Sequence, residues 1–138
     1  MLMKVLFIYC KEFAYTPTTK TIADALDAIA SVRYENVQVA FIQSEQEDME
    51  RENDVVTKLL KNLKWVSGKN QVKKVVLHSF AHLSDSKADP DFTRLLFNKV
   101  EERLKNAGYQ VSQTPFGYFL DLQVDAPGFS LARVFKDL

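Results

Sequence analysis

Glycine is scarce in this sequence, with four residues in 138. Neither a GxGxxG nor a GxxxxGK[ST] pattern occurs, so the common nucleotide-phosphate cradles are absent. Cysteine is scarcer: Cys10 stands alone, which excludes an internal disulfide and any zinc site built from several thiolates. No charge of one sign prevails, because 18 Lys and Arg balance 18 Asp and Glu. Attraction of a polyanion would therefore need a local patch. Long apolar runs are missing too. "VLFIYC" at 5–10 is far below the ~20 residues a membrane helix needs. No basic segment precedes an apolar stretch and a small-residue cleavage site at the N-terminus, so no export signal is read. These absences predict a cytoplasmic domain with no membrane contact. What is present, 46% hydrophobic and 12% aromatic residues, suffices for one core in a single domain over 1–138.

"MKVLFIYC" (3–10) is β-branched and aromatic, and reads as a buried strand. "KEFAYTPTT" (11–19) breaks it, and Thr18 or Thr19 can cap a helix carrying Ile22, Ala23, Leu26, Ile29 and Ala30 at helical spacing. "ENVQVAFI" (35–42) alternates Val37, Val39 and Phe41 with polar neighbours, the period of a strand. After the acidic stretch at 44–54, Val56, Leu59, Leu60, Leu63 and Val66 form the apolar stripe of a second helix, ended by Ser67-Gly68. Lys58, Lys61 and Lys64 lie on its other faces and read as solvated. "VKKVVLHSF" (72–80) is a strand and "AHLSDSKADP" a polar loop. Asp89 as cap and Pro90 at the first helical position start a third helix, with Phe92, Leu95, Leu96, Val100 and Leu104 inward and Gly108 as its stop. The remainder reads as strands, with Tyr118, Leu120, Leu122 and Val124 on one face and a turn at "DAPG" (125–128) before a last strand at 129–135. The expected fold class is α/β, a mixed sheet of about five or six strands with about three helices.

Two stretches invite chemistry. "HSFAHLSDS" (78–86) holds both histidines of the chain, His78 and His82. Four-residue spacing puts two rings on one face only in a helix; in a strand they stand roughly 13 Å apart, at ~3.3 Å per residue. No metal site is expected. The nearby serines lack the glycines of a GxSxG elbow, and Cys10 at a strand end reads as inert core more readily than as a nucleophile for His82. His82, just beyond a strand end, keeps a functional reading because ligands gather there in open α/β sheets. His78, inside the strand, reads as scaffold. "TPFGYF" (114–119) surrounds an aromatic with Pro115 and Gly117. It is either a turn packed on the core or a backbone kept bare for a ligand.

Taken together, "FAHLS" (80–84) after a strand, "PFGYF" (115–119) after the last helix, "VAFI" (39–42) and "LKNAGYQV" (104–111) resemble the N-terminal editing domain of archaeal threonyl-tRNA synthetases. That family shares its fold with D-aminoacyl-tRNA deacylases. The resemblance runs over nearly the whole chain. It implies proofreading hydrolysis of serine mischarged on tRNA(Thr), with no metal or cofactor and with the tRNA's terminal ribose hydroxyl helping to position the water. Carried over residue by residue, it makes His82 the substrate-orienting histidine. Ser44, Phe80, Ala81, Phe116, Gly117 and Phe119 become contacts of the amino acid and its adenosine, and amides near Ala81 or Gly117 candidate oxyanion donors.

The sequence departs from the family at Leu120, where a lysine is usual, and at Arg133, where a glutamate is usual. Tyr9, Cys10 and Lys11 replace a further motif after the first strand. Two alternatives stay open: a lapsed editing domain that only binds the tRNA acceptor end, and an unrelated small-molecule-binding α/β domain. Expected partners are the acceptor end of tRNA(Thr) carrying serine, a second copy of the chain in a homodimer, and a synthetase catalytic domain in cis or in trans.

Overall fold

In a computed structural model, which describes residues 2–138, the chain forms six strands and two α-helices. In order these are β1 (Lys4–Lys20), β2 (Val32–Gln43), α1 (Glu52–Lys69), β3 (Lys74–Ser79), α2 (Pro90–Asn106), β4 (Gln110–Gln113), β5 (Tyr118–Asp125) and β6 (Arg133–Asp137). The strands lie in the order β4-β3-β2-β1-β5, and β6 also pairs with β1. β2, β3 and β4 run parallel, joined by the two helices as crossovers, and every pair made by β1 is antiparallel. The expected mixed sheet is present, with two helices rather than about three.

Both helices form for the reasons their sequences suggest. α1 buries Val55, Val56, Leu59, Leu60, Leu63 and Val66 along one stripe. At the start of α2 the Asp89 carboxylate accepts the Asp91 N–H at 2.9 Å, and Pro90 occupies a position with no helical bond to lose. Its buried stripe is Thr93, Leu96, Phe97, Val100 and Leu104. Leu95 was expected inward but is 62% exposed, because Leu96 and Phe97 take the centre of the stripe and Leu95 falls to its flank. The two helices cover one face of the sheet, against Val5, Phe7, Ala40, Ile42, Val75 and Leu77. Each of these side chains larger than alanine contributes about 1.5–3 kcal/mol when fully buried.

The other face is covered by the sheet itself. Phe13 of β1 stands opposite Tyr34 of β2, seven residues before Phe41. In a flat sheet that offset is roughly 23 Å. The rings of Phe13 and Phe41 are nevertheless 6.1 Å apart, edge to face. The outer halves of β1 and β2 therefore fold back over the sheet and bring β5 with them. Asn36 sits at the bend with φ +51°, a left-handed conformation that asparagine tolerates, and its side chain accepts from the Tyr9 hydroxyl. Phe13, Tyr15, Val37, Val39, Phe41 and Val76 form this second core, with Leu120 and Leu122 of β5 packed against it.

The helix expected around Ile22–Ala30 does not form. β1 continues through Thr18 and Thr19 to Lys20, and the Thr18 hydroxyl donates to Phe119 O at 2.9 Å instead of capping a helix. Residues 21–31 are turns and irregular chain, with Leu26 88% and Ile29 92% exposed. Ile22 packs near Gly117, but Leu26 and Ile29 find no surface, and a helix shorter than about 12 residues is marginal without packing.

Candidate functional site

The fold-over leaves a cleft of about 570 Å³ where the ends of β2 and β3 meet the start of β5. Its size is that of a small-ligand pocket. Ser44 lines it from the end of β2, and Phe80, Ala81 and His82 from the loop after β3. Phe116, Gly117, Phe119 and Leu120 line it from the turn into β5. Eight of the nine site residues expected from sequence thus face one space.

Arg133 does not. Leu120 stands opposite Pro17 of β1, whereas Arg133 stands opposite Ile8, nine residues away on the same strand. That is roughly 30 Å of strand contour. β5 and β6 divide the length of β1 between them, and Arg133 is not among the residues that line the cleft.

The aromatic wall is continuous. Phe80 lies edge-on to Phe41 at 5.3 Å and to the exposed His82 at 5.0 Å. Across the cleft, the Arg94 guanidinium stands 5.4 Å over the ring of Phe116. The Ser44 hydroxyl is buried and has no hydrogen-bond partner, a state that costs about 1–3 kcal/mol.

Gly117 answers one of the two readings of "TPFGYF". Its φ is +84°, and a Cβ there would meet Ala25 Cβ at 3.0 Å and Ile22 Cβ at 3.2 Å. The bare backbone admits the chain's own 22–25 segment, tied down by the Thr21 N–H bond to Gly117 O at 2.8 Å. Cys10 is fully buried outside the cleft, and burial first, then the nearby Asp125 charge, pushes its thiol up to about 12. It is held as a thiol, the inert state.

His78 also lines the cleft, although its sequence position suggested scaffold alone. Its Nδ1 is 2.8 Å from the Thr114 hydroxyl, and its ring packs edge-on to Phe41 at 5.0 Å. Burial lowers its pKa to about 4, so the ring is neutral at pH 7. The signal was available: strand period 2 puts residue 78 on the face of residue 80, and Phe80 was already assigned to the pocket. His78 and His82 are not in contact as a pair; the ring of Phe80 lies 5.9 Å from one and 5.0 Å from the other. Gln43, also on the cleft wall, carried no sequence signal at all.

The family model described as the Archaea-specific editing domain of threonyl-tRNA synthetase matches residues 3–138. Among curated relatives, the threonine–tRNA ligase of Thermofilum pendens is 31% identical over 138 residues, and that of Pyrococcus horikoshii 30% over 139. Each alignment takes in 99% of this chain and 22% of the relative, so the chain spans about a fifth of those ligases. Two solved structures share the fold. A c-Myc DNA unwinding element binding protein matches with TM-score 0.71 at 10% identity, over 98% of both chains. A probable eukaryotic D-amino acid tRNA deacylase matches with TM-score 0.67 at 11% identity, over all of both chains. Among the described residues no helix is long and apolar enough to cross a membrane. With a match that runs from Met3 to the last residue, the chain belongs to the Archaea-specific editing-domain family of threonyl-tRNA synthetase.

Proposed function

We propose that this domain hydrolyses serine wrongly esterified to threonine tRNA, with the tRNA acceptor end in the cleft. The observation that carries the reading is the convergence of Ser44, the 80–82 segment and the 116–120 segment on one cavity in a chain of this family. Water adds to the ester carbonyl carbon, the bond to the ribose oxygen breaks, and that oxygen leaves with a proton as free serine departs. The terminal ribose hydroxyl positions the water. Phe80, Phe116 and Phe119 offer stacking faces to the adenine, and His82 orients the aminoacyl group. The need is physical: serine differs from threonine by one methyl, which a pocket distinguishes by only about 1–3 kcal/mol. A second site too tight for threonine clears the error.

The domain is proposed to work in the cytoplasm as a homodimer, beside a synthetase catalytic domain in cis or in trans. Phe129 and Phe135, about half exposed near and on β6, support association through that edge. A second reading, binding of the acceptor end without hydrolysis, is favoured by one feature, the apolar Leu120 on the cleft wall. Incubation with seryl- and threonyl-tRNA(Thr) separates the two. Loss of serine alone supports the deacylase. Binding without ester loss supports the second reading, and loss of both esters at one rate rejects proofreading.

A further inference from the structure

We propose that Gln43 is a positioning residue of this site, the clamp that sets the loop carrying Ala81 and His82. The inference rests on the deacylase reading and extends it to a residue that touches no reacting atom. The loop leaves β3 at Phe80, whose N–H donates to Ile42 O at 2.9 Å, and returns at Ala88, whose N–H donates to Ser44 O at 2.9 Å. Between these two ties the loop has no regular structure. The Ser86 hydroxyl accepts the Gln46 N–H at 3.2 Å, and Gln43 alone among the side chains of β2 reaches three residues of the loop's middle. The Gln43 amide NH2 donates to Ser84 O at 2.8 Å and to Ser86 O at 2.7 Å, and the Gln43 side-chain oxygen accepts the Leu83 N–H.

Chemistry explains why glutamine fits. Its amide presents two donors and an acceptor from one rigid plane, and all three kinds of bond are used. The residue is 1% exposed, so each bond works with little competition from water. A carboxylate of the same shape would set one oxygen against the carbonyls of Ser84 and Ser86. An apolar chain of the same length would fill the space and hold nothing. His82 directly precedes the first clamped residue, Leu83, and its own ring is exposed. Its placement in the cleft therefore depends on the loop backbone, with the Phe80 ring beside it.

Gln43→Met and Gln43→Glu test this in the whole chain. Gln43→Met preserves volume and removes all three bonds; Gln43→Glu keeps the acceptor for Leu83 N–H alone. Seryl-tRNA(Thr) hydrolysis should fall about 10–100-fold in kcat, with KM changed less than about threefold, the pattern of lost orientation with the adenosine contacts intact. Amide hydrogen exchange should quicken at 83–88 and stay at the wild-type rate in β2 and β3. Equal kcat in Gln43→Met and wild type overturns the proposal. So does faster exchange throughout the sheet, which would make Gln43 a core residue only. Should wild type hydrolyse no aminoacyl ester, the deacylase reading falls and the positioning role falls with it. In that case loop-restricted exchange in the variants would still identify the clamp as a structural device.

Discussion

The imidazole of His78, on β3 and lining the cleft, and the hydroxyl of Thr114, the residue after β4, lie 2.8 Å apart. Burial keeps that imidazole neutral, with its pKa lowered from 6.5 to about 4. The unfolded chain therefore takes up a proton on His78 before the folded chain does. Stability is complete above about pH 6.5 and falls as pH drops toward 4, by about 2–3 kcal/mol at pH 4.5 from this group. In urea unfolding at pH 7.5 and 4.5, His78→Gln, which can still bond Thr114, should lose less stability than wild type. Parallel losses would refute the assignment.

Gly117 and Gly108 both have positive φ, +84° and +91°, yet only Gly117 has neighbours within 4 Å of a built Cβ. Gly108→Ala should cost about 1–2 kcal/mol from conformation alone. Gly117→Ala should cost about 1–3 kcal/mol more, because Ala25 and Ile22 must give way. Denaturant midpoints measure both. Equal losses would mean that the 22–25 segment is free to move aside.

Leu120 and Arg133, paired with Pro17 and Ile8 respectively, should behave as independent sites. Leu120→Lys, Arg133→Glu and the double variant form a cycle whose coupling in stability and in seryl ester hydrolysis should stay within about 0.5 kcal/mol. A coupling well above that would show that the two sites are not independent.

His82→Ala should slow seryl ester hydrolysis about 10–100-fold, as lost positioning does. Complete loss of activity would make His82 an acid or base instead. Single-turnover rates at saturating protein decide between them.

Seryl-tRNA that lacks the 2′-hydroxyl of its terminal adenosine, acylated at the 3′ position, should be nearly inert with this domain. The comparison is with native seryl-tRNA and with buffer alone. Equal hydrolysis of the two substrates by the protein would remove the ribose hydroxyl from the mechanism.

Local patterns in the sequence were sufficient for much of this protein. The alternation of Tyr118, Leu120 and Leu122 with Phe119, Asp121 and Gln123 appears as half-buried against exposed side chains in β5. Asp89-Pro90 starts α2 as its chemistry requires, because a cap and a first-turn proline act within a few residues. The motifs of the editing-domain family were legible for the same reason: each is a short contiguous string. Tertiary structure decided the rest. Ile22–Ala30 has a helical period, but Leu26 and Ile29 have no surface to be buried on, and a period cannot report what lies opposite. The folding of β1 and β2 back over the sheet rests on Phe13 meeting Phe41, 28 residues on in the chain. Only that closure turns His78 toward a cleft and leaves Arg133 far along β1 from Leu120. Gln43 acquires its role from carbonyls 41 and 43 residues away. A contact made across such spans is selected by the packing of the whole sheet, and no window of neighbouring residues contains it.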